Sequence, residues 1–280
     1  MRGMAKGLVQ RALLYPAERL ASRVLASERP FASRHYTRFV IIAAGRSGTS
    51  LLRERLDSHP QIACHPELFN QDRTRMQRWH GEAQMQAIAA RRDADSAGFV
   101  RRAIWRPYSG GTQAVGFKIL YHHWQVNRDA LEGAGLLEDV RFIHLQRRDA
   151  FARYRSELRA WRSGRYHRRG AARGHAPDTP VEIDCEAMLR RMAEIEAQAE
   201  DLSHWLGGRS SLSLQYEDMV ADPAGTDRKL CEFLGVERRS LASSLAPTGG
   251  APLERQVANL GEVRAALAGT NWETPPRDAH

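Results

Sequence analysis

The feature that most constrains this chain is a short, unbroken apolar run, Phe39-Val40-Ile41-Ile42. It ends in a glycine-bounded turn, Gly45–Gly48, and then in a helical pattern from Thr49 to about Ser58. Apolar residues at successive strand positions need both faces covered, and that is the condition of a parallel sheet packed between helices. The pattern recurs. Strands are expected at Arg38–Ala44, Ile62–Cys64, Ala114–Ile119, Val140–Leu145 and Ser211–Gln215. Helices are expected over 72–106, Ala150–Trp161, Val181–Trp205, Pro223–Leu234 and near Gly261–Leu267. Alternating strands and helices predict an α/β fold with a mainly parallel central sheet flanked by helices. A chain of 280 residues suits one large domain and is short for two. The domain is expected over 35–280, preceded by an arm at 1–34.

A hydrophobic content of 42% against 27% charged residues fits a packed globular chain rather than a disordered one. The net charge of +9 favours anionic partners, among them nucleotides, nucleic acid, phosphorylated ligands and anionic membrane faces. Cys64, Cys185 and Cys231 are few and scattered. They suggest neither a disulfide framework nor a zinc site, and reduced thiols in a cytoplasmic protein are the simplest reading. No apolar run reaches the ~20 residues of a membrane span. Within the arm, Leu8, Leu13, Leu14, Leu20, Val24 and Leu25 alternate at helical spacing with Arg11, Arg19 and Arg23. Such a stretch suits peripheral contact with the inner face of a membrane, or packing against the domain. Residues 163–180 are basic and glycine-rich, a loop that could close over a ligand.

The turn Gly45-Arg46-Ser47-Gly48-Thr49-Ser50 lies directly between a strand and a helix. Backbone N–H groups converge on an anion in such a turn, and the helix N-terminus adds partial positive charge. Arg46 supplies a full charge with forked donors, and Ser47, Thr49 and Ser50 supply hydroxyls. The GxxxxGK[ST] pattern of nucleotide hydrolases and kinases is absent, because no lysine follows Gly48. Arg46-Ser47-Gly48-Thr49 resembles the 5′-phosphosulfate loop of sulfotransferases that use PAPS (3′-phosphoadenosine-5′-phosphosulfate). Arginine at this place resembles the bacterial carbohydrate branch of that family.

A second strand-to-helix junction carries Arg148-Asp149-Ala150-Phe151-Ala152-Arg153-Tyr154-Arg155-Ser156. Ser156 lies eight residues beyond Arg148, about two helical turns, so both can approach one ligand. The segment resembles the family's 3′-phosphate motif, which implies that Arg148 and Ser156 hold that phosphate. Leu214–Pro223 resembles a late strand and turn of these enzymes, with Tyr216-Glu217-Asp218 expected to cap the helix carrying Leu230, Phe233 and Leu234. The tail from Leu253 to Trp272 is similar to the C-terminal region of trehalose- and nodulation-factor-type sulfotransferases. Its Arg255 is a candidate donor contact.

Sulfuryl transfer needs a base for the acceptor hydroxyl. The resemblance implies Glu67, in Cys64-His65-Pro66-Glu67-Leu68-Phe69. His65 could serve instead, since its ordinary pKa of about 6.5 is near working pH. His122 and His123 are further choices. Lys118, at a strand end on the expected active edge of the sheet, could neutralise charge on the sulfate or leaving phosphate. The reading implies PAPS as co-substrate, no metal, and a carbohydrate or glycolipid acceptor. Trp105, Tyr108, Tyr121 and Trp124 could stack on a sugar ring or fill the core. Two rivals are a P-loop-like nucleotide kinase, which lacks its lysine here, and a basic nucleic-acid or membrane-binding module, which lacks any accompanying nucleic-acid signature.

Overall fold

A computed structural model describes residues 32–70, 89–163, 180–245 and 252–273. The amphipathic stretch of the arm, nearly all of the 163–180 loop and the first part of the charged 72–106 segment lie outside the described residues.

Five parallel strands form the central sheet: β2 (Thr37–Ala43), β3 (Ile62–His65), β5 (Ala114–Leu120), β6 (Val140–Gln146) and β7 (Ser211–Gln215). Their order across the sheet is β3-β5-β2-β6-β7. The first apolar run therefore sits at the centre, and the alternation of its side chains shows why no position is polar. Val40 and Ile42 join Val115, Phe117, Ile119 and Phe142 on one face. Phe39, Ile41 and Ala43 join Ile143, Leu145, Leu52, Leu56, Leu230 and Leu234 on the other. Two-sided cover of this kind removes the whole run from water, the dominant favourable term in folding.

The helices are α1 (Thr49–Asp57), α2 (Ser96–Phe99, continued by a π turn at Val100–Ile104), α3 (Tyr121–Gly133), α4 (Ala150–Ser163), α5 (Cys185–Trp205), α6 (Tyr216–Ala221), α7 (Pro223–Leu234) and α8 (Leu260–Leu267). A short antiparallel pair, β1 (Ala32–Ser33) with β4 (Tyr108–Ser109), stands apart from the main sheet. Three expectations are adjusted. Helix α5 starts at Cys185 rather than Val181, because the Asp184 carboxylate caps it by accepting from the Ala187 N–H. Val181 instead bridges Val257, which docks the tail. The described part of the 72–106 segment is not one helix: it breaks at Asp95, whose carboxylate caps α2 by accepting from the Gly98 N–H, and it ends by Ile104, ahead of Pro107, whose ring disfavours helix before it. Helix α3 was not anticipated. It follows β5 without a break, burying Tyr121, His123, Trp124 and Leu131.

Candidate functional site

Parallel register brings the two candidate anion loops together. Ala43 of β2 pairs with Leu145 of β6, so Arg46 and Arg148 each lie three residues past paired positions. Both loops leave the carboxyl edge of adjacent strands, where ligands bind in open α/β sheets. In the first loop Arg46 and Gly48 take positive φ, 67° and 84°. This curls the turn and favours convergence of its N–H groups. At Gly48 a Cβ would stand 2.3 Å from the Tyr216 ring, so only glycine fits. That ring is also 4.8 Å from the Arg147 guanidinium, and Arg147 Nη1 donates to the Arg46 carbonyl at 3.3 Å. Ser47 and Thr49 are buried.

A direct bond joins the first loop to the helix after the second: Arg46 Nε donates to Ser156 Oγ on α4 at 3.0 Å. Arg148 is turned the other way. Its two terminal nitrogens donate to the Asp218 carboxylate at 2.7 and 2.6 Å, and its backbone N–H donates to Glu217 Oε2 at 3.1 Å. Glu217 Oε1 accepts from the Asp149 N–H at 3.3 Å. Carboxylates thus hold the loop where an anion is expected. Tyr216-Glu217-Asp218 does not cap α7 as expected; Asp222 does that, accepting from the Gly225 N–H. Nearby, Arg147 Nε and Arg155 Nε are buried without a hydrogen-bond partner among the described residues. Burial and the neighbouring Arg159 hold the Arg155 guanidinium down to about 10. Each guanidinium is partly partnered, Arg147 by the Arg46 carbonyl and Glu217, and Arg155 by Gln256, and the buried Nε–H left over on each is a donor that suits a phosphate group.

Lys118 stands between the first loop and Glu67. It shares a face of β5 with Ala114 and Gly116, opposite Val115, Phe117 and Ile119. Its ammonium donates to Thr49 Oγ1 and Ser50 Oγ, each at 3.3 Å, and lies 3.6 Å from Glu67 Oε2. Burial pulls the Lys118 pKa below its usual range, against the opposing pull of Glu67. Glu67 Oε1 faces His123 Nδ1 at 3.5 Å. Burial alone would raise the Glu67 pKa, but Lys118 and His123 override it and hold the carboxyl at about 2.

A family model described as "Sulfotransferase family" matches residues 38–240. The chain belongs to this family. It is similar to Nodulation protein H of Rhizobium meliloti, 26% identical over 238 residues, covering 82% of this chain and 91% of that one. The same protein of Rhizobium tropici is 23% identical over 240 residues, covering 82% and 89%. Among solved structures it resembles a sulfotransferase domain from the Synechococcus PCC 7002 olefin synthase, with a TM-score of 0.47, 18% identity and coverage of 91% and 94%.

Within this sulfotransferase the remaining candidates separate. His65 is fully buried and shares a 2.6 Å hydrogen bond with the Tyr108 hydroxyl, which itself donates to the Ile104 carbonyl. Burial holds its pKa down to about 3, and its partners are not those of Glu67. Arg255 is exposed on a 3₁₀ turn, while the adjacent Gln256 accepts from Arg155 at 3.2 Å. Trp105, Tyr108, Tyr121 and Trp124 are all buried core residues, so the structure does not offer them to a sugar ring. Sequence reasoning missed Asp218 and Glu217 as partners of the second loop. Their only signal was a pair of acids directly after a strand.

The Arg148–Asp218 pair has an immediate consequence. Asp218→Asn should tighten binding of PAP (3′-phosphoadenosine-5′-phosphate) by about two- to fivefold, a modest gain because both partners are half exposed and screened by solvent. Calorimetric titration checks it. Weaker binding by the variant would mean that Asp218 positions the loop rather than competing for it.

Proposed function

We propose that this sulfotransferase moves a sulfuryl group from PAPS to a hydroxyl of a carbohydrate or glycolipid. The observation that carries the reading is the Arg46–Ser156 bond, which ties the first loop to the helix that follows the second at one sheet edge. The first loop, with Arg46, Ser47, Gly48, Thr49 and Ser50, takes the 5′-phosphosulfate. Arg148 and Ser156 take the 3′-phosphate, with Arg155 close by, and Arg255 lies in the tail that docks beside them. Described residues contain no group of three or more His, Cys, Asp or Glu side chains placed to hold a metal ion.

The acceptor oxygen attacks sulfur while the bond from sulfur to the 5′-phosphate oxygen breaks, leaving PAP. The hydroxyl proton passes to Glu67. A carboxyl held at about 2 is a weak base, yet its acidity comes from Lys118 and His123. Anionic donor groups beside Lys118 and Arg46 would draw Lys118 away from Glu67 and raise its basicity where it is needed. Lys118 then neutralises charge on the departing phosphate, the electrostatic role that dominates group transfer of this type. The carbohydrate acceptor class rests on the likeness of the Glu67 segment and the tail to carbohydrate sulfotransferases.

The test is incubation with ³⁵S-labelled PAPS and a panel of oligosaccharides and bacterial glycolipids. Label transferred to a sugar hydroxyl is the expected result. PAP binding without labelling of any sugar would overturn the acceptor, and label on a protein or phenol would redirect it.

A further inference from the structure

Glu67 is gripped at both oxygens, and only one of the two grips belongs to the anion loops. Oε2 faces the Lys118 ammonium at 3.6 Å, and Lys118 also reaches Thr49 and Ser50. Oε1 faces His123 Nδ1 at 3.5 Å, a few tenths of an ångström beyond an ordinary hydrogen bond and close enough to form one with a small side-chain adjustment. Both of these atoms are buried, and neither makes a hydrogen bond, to the other or to any other described residue; they are left facing each other. An unsatisfied buried pair of this kind is costly unless each serves the other. His123 is well placed to be rigid. It lies on the first turn of α3, directly after β5, with its side chain 9% exposed. Its neighbours on that turn, Tyr121 and Trp124, are locked in the core. Its backbone carbonyl accepts from the Asn127 side chain at 2.8 Å. The exposed His122 ring packs against it at 3.9 Å between centroids.

We propose that His123 is a positioning residue for the transfer. Its Nδ1–H holds Oε1 of Glu67 and leaves Oε2, the oxygen now on Lys118, to meet the acceptor hydroxyl. The proposal rests on Glu67 being the base. The division of labour follows from what each partner can do. Lys118 is shared with the loop hydroxyls and is a flexible point charge that can turn toward donor oxygens. His123 has no anion-loop contact to be recruited by, so its grip on Oε1 persists when Lys118 moves. A carboxylate released by Lys118 and without His123 would rotate about its last torsion, and the oxygen presented to the acceptor would no longer be defined.

The tautomer of His123 is a direct readout that needs no substrate. In histidine-labelled protein, ¹⁵N–¹H correlation of the imidazoles should show His123 protonated at Nδ1, its signals assigned by their loss in His123→Asn. In Glu67→Ala the Nδ1 proton should be lost, because its acceptor is gone. A bare Nδ1 in the parent protein, or an Nδ1–H indifferent to Glu67→Ala, overturns the proposal. Kinetics give the second arm. With the sugar labelled in the panel above, His123→Ala should lower kcat about 10- to 100-fold, the loss expected for one hydrogen bond to a charged group. KM for PAPS and PAP affinity should change little. Asn places its amide nitrogen near the Nδ1 position and should restore most of kcat; Gln, which reaches the Nε2 position, should not. Equal rescue by Gln, or an undiminished kcat in His123→Ala, contradicts the proposal. Failure of the parent protein to bind PAP would instead sink the sulfotransferase reading and leave the tautomer result standing.

Discussion

Replacing Arg46 by alanine is expected to weaken PAP binding by at least about a hundredfold, since each charge-assisted hydrogen bond to phosphate contributes about 1.5–3 kcal/mol and 1.4 kcal/mol is tenfold. Arg46 enters the account twice. Its charge sits in the curled turn between Gly45 and Ser47, and its Nε bond to Ser156 Oγ ties the first loop to α4. Arg46→Lys keeps the charge and loses the fork, so it should recover only part of the affinity. Alanine meets the same positive-φ backbone that Arg46 already holds, but it loses the side-chain bond to Ser156. The melting temperature without nucleotide should therefore be measured alongside. Calorimetry showing less than about a threefold loss of affinity, against the tenfold that 1.4 kcal/mol represents, would remove Arg46 from the donor site.

Glu67→Gln is expected to lower kcat by about 10²- to 10⁴-fold, the range of general-base contributions, while PAP binding is nearly unchanged. Glutamine keeps the shape but has one acceptor oxygen, so it can accept from Lys118 or from His123 and not from both; the melting temperature should be measured alongside to show that the fold persists. The pH dependence gives an independent sign. The Glu67 pKa is depressed to about 2, so in the free enzyme the carboxylate stays ionised from neutral pH down to that value. The profile of kcat/KM reports the free enzyme, and it should show no acidic limb from the base between pH 8 and pH 5. A histidine base with an ordinary pKa of about 6.5 would lose roughly tenfold by about pH 5.5. His65, buried against Tyr108 and far below that value, gives no such limb, but His65→Asn should then leave kcat intact if Glu67 is the base. A profile falling through pH 6.5 in both the parent and Glu67→Gln would move the role to a histidine.

Local patterns made the sheet and the two strand-to-helix turns at its edge legible. Phe39–Ile42, a short apolar run closed by a glycine turn, suited a two-sided buried strand, and the turn after it needed no distant residue to be recognised. The β7 and α7 boundaries follow equally from local signals, a strand bounded by Gln215 and a helix opened by Asp222-Pro223. The partners of those loops were not legible, because they arrive from far along the chain. Asp218 meets Arg148 across 70 residues, and His123 reaches Glu67 from a different strand end. Tyr216 gave no sign that it would roof Gly48, since an aromatic after a strand usually packs into the core. Trp105, Tyr121 and Trp124 did so, and only the fold could separate the two cases. Helix α3 was hidden by its charged and amide residues, which cover an exposed face; its apolar anchors, Trp124 and Leu131, are two turns apart.

Titrating the parent protein with PAP, with 5′-AMP and with Mg·ATP tests most directly the central claim, that the two neighbouring loops hold the two ends of one bisphosphorylated adenosine. PAP should bind one to one, 5′-AMP at least about tenfold more weakly for want of the second phosphate, and Mg·ATP no better than 5′-AMP. Mg·ATP binding more tightly than PAP, or a 3′-phosphate that adds no affinity, would contradict it.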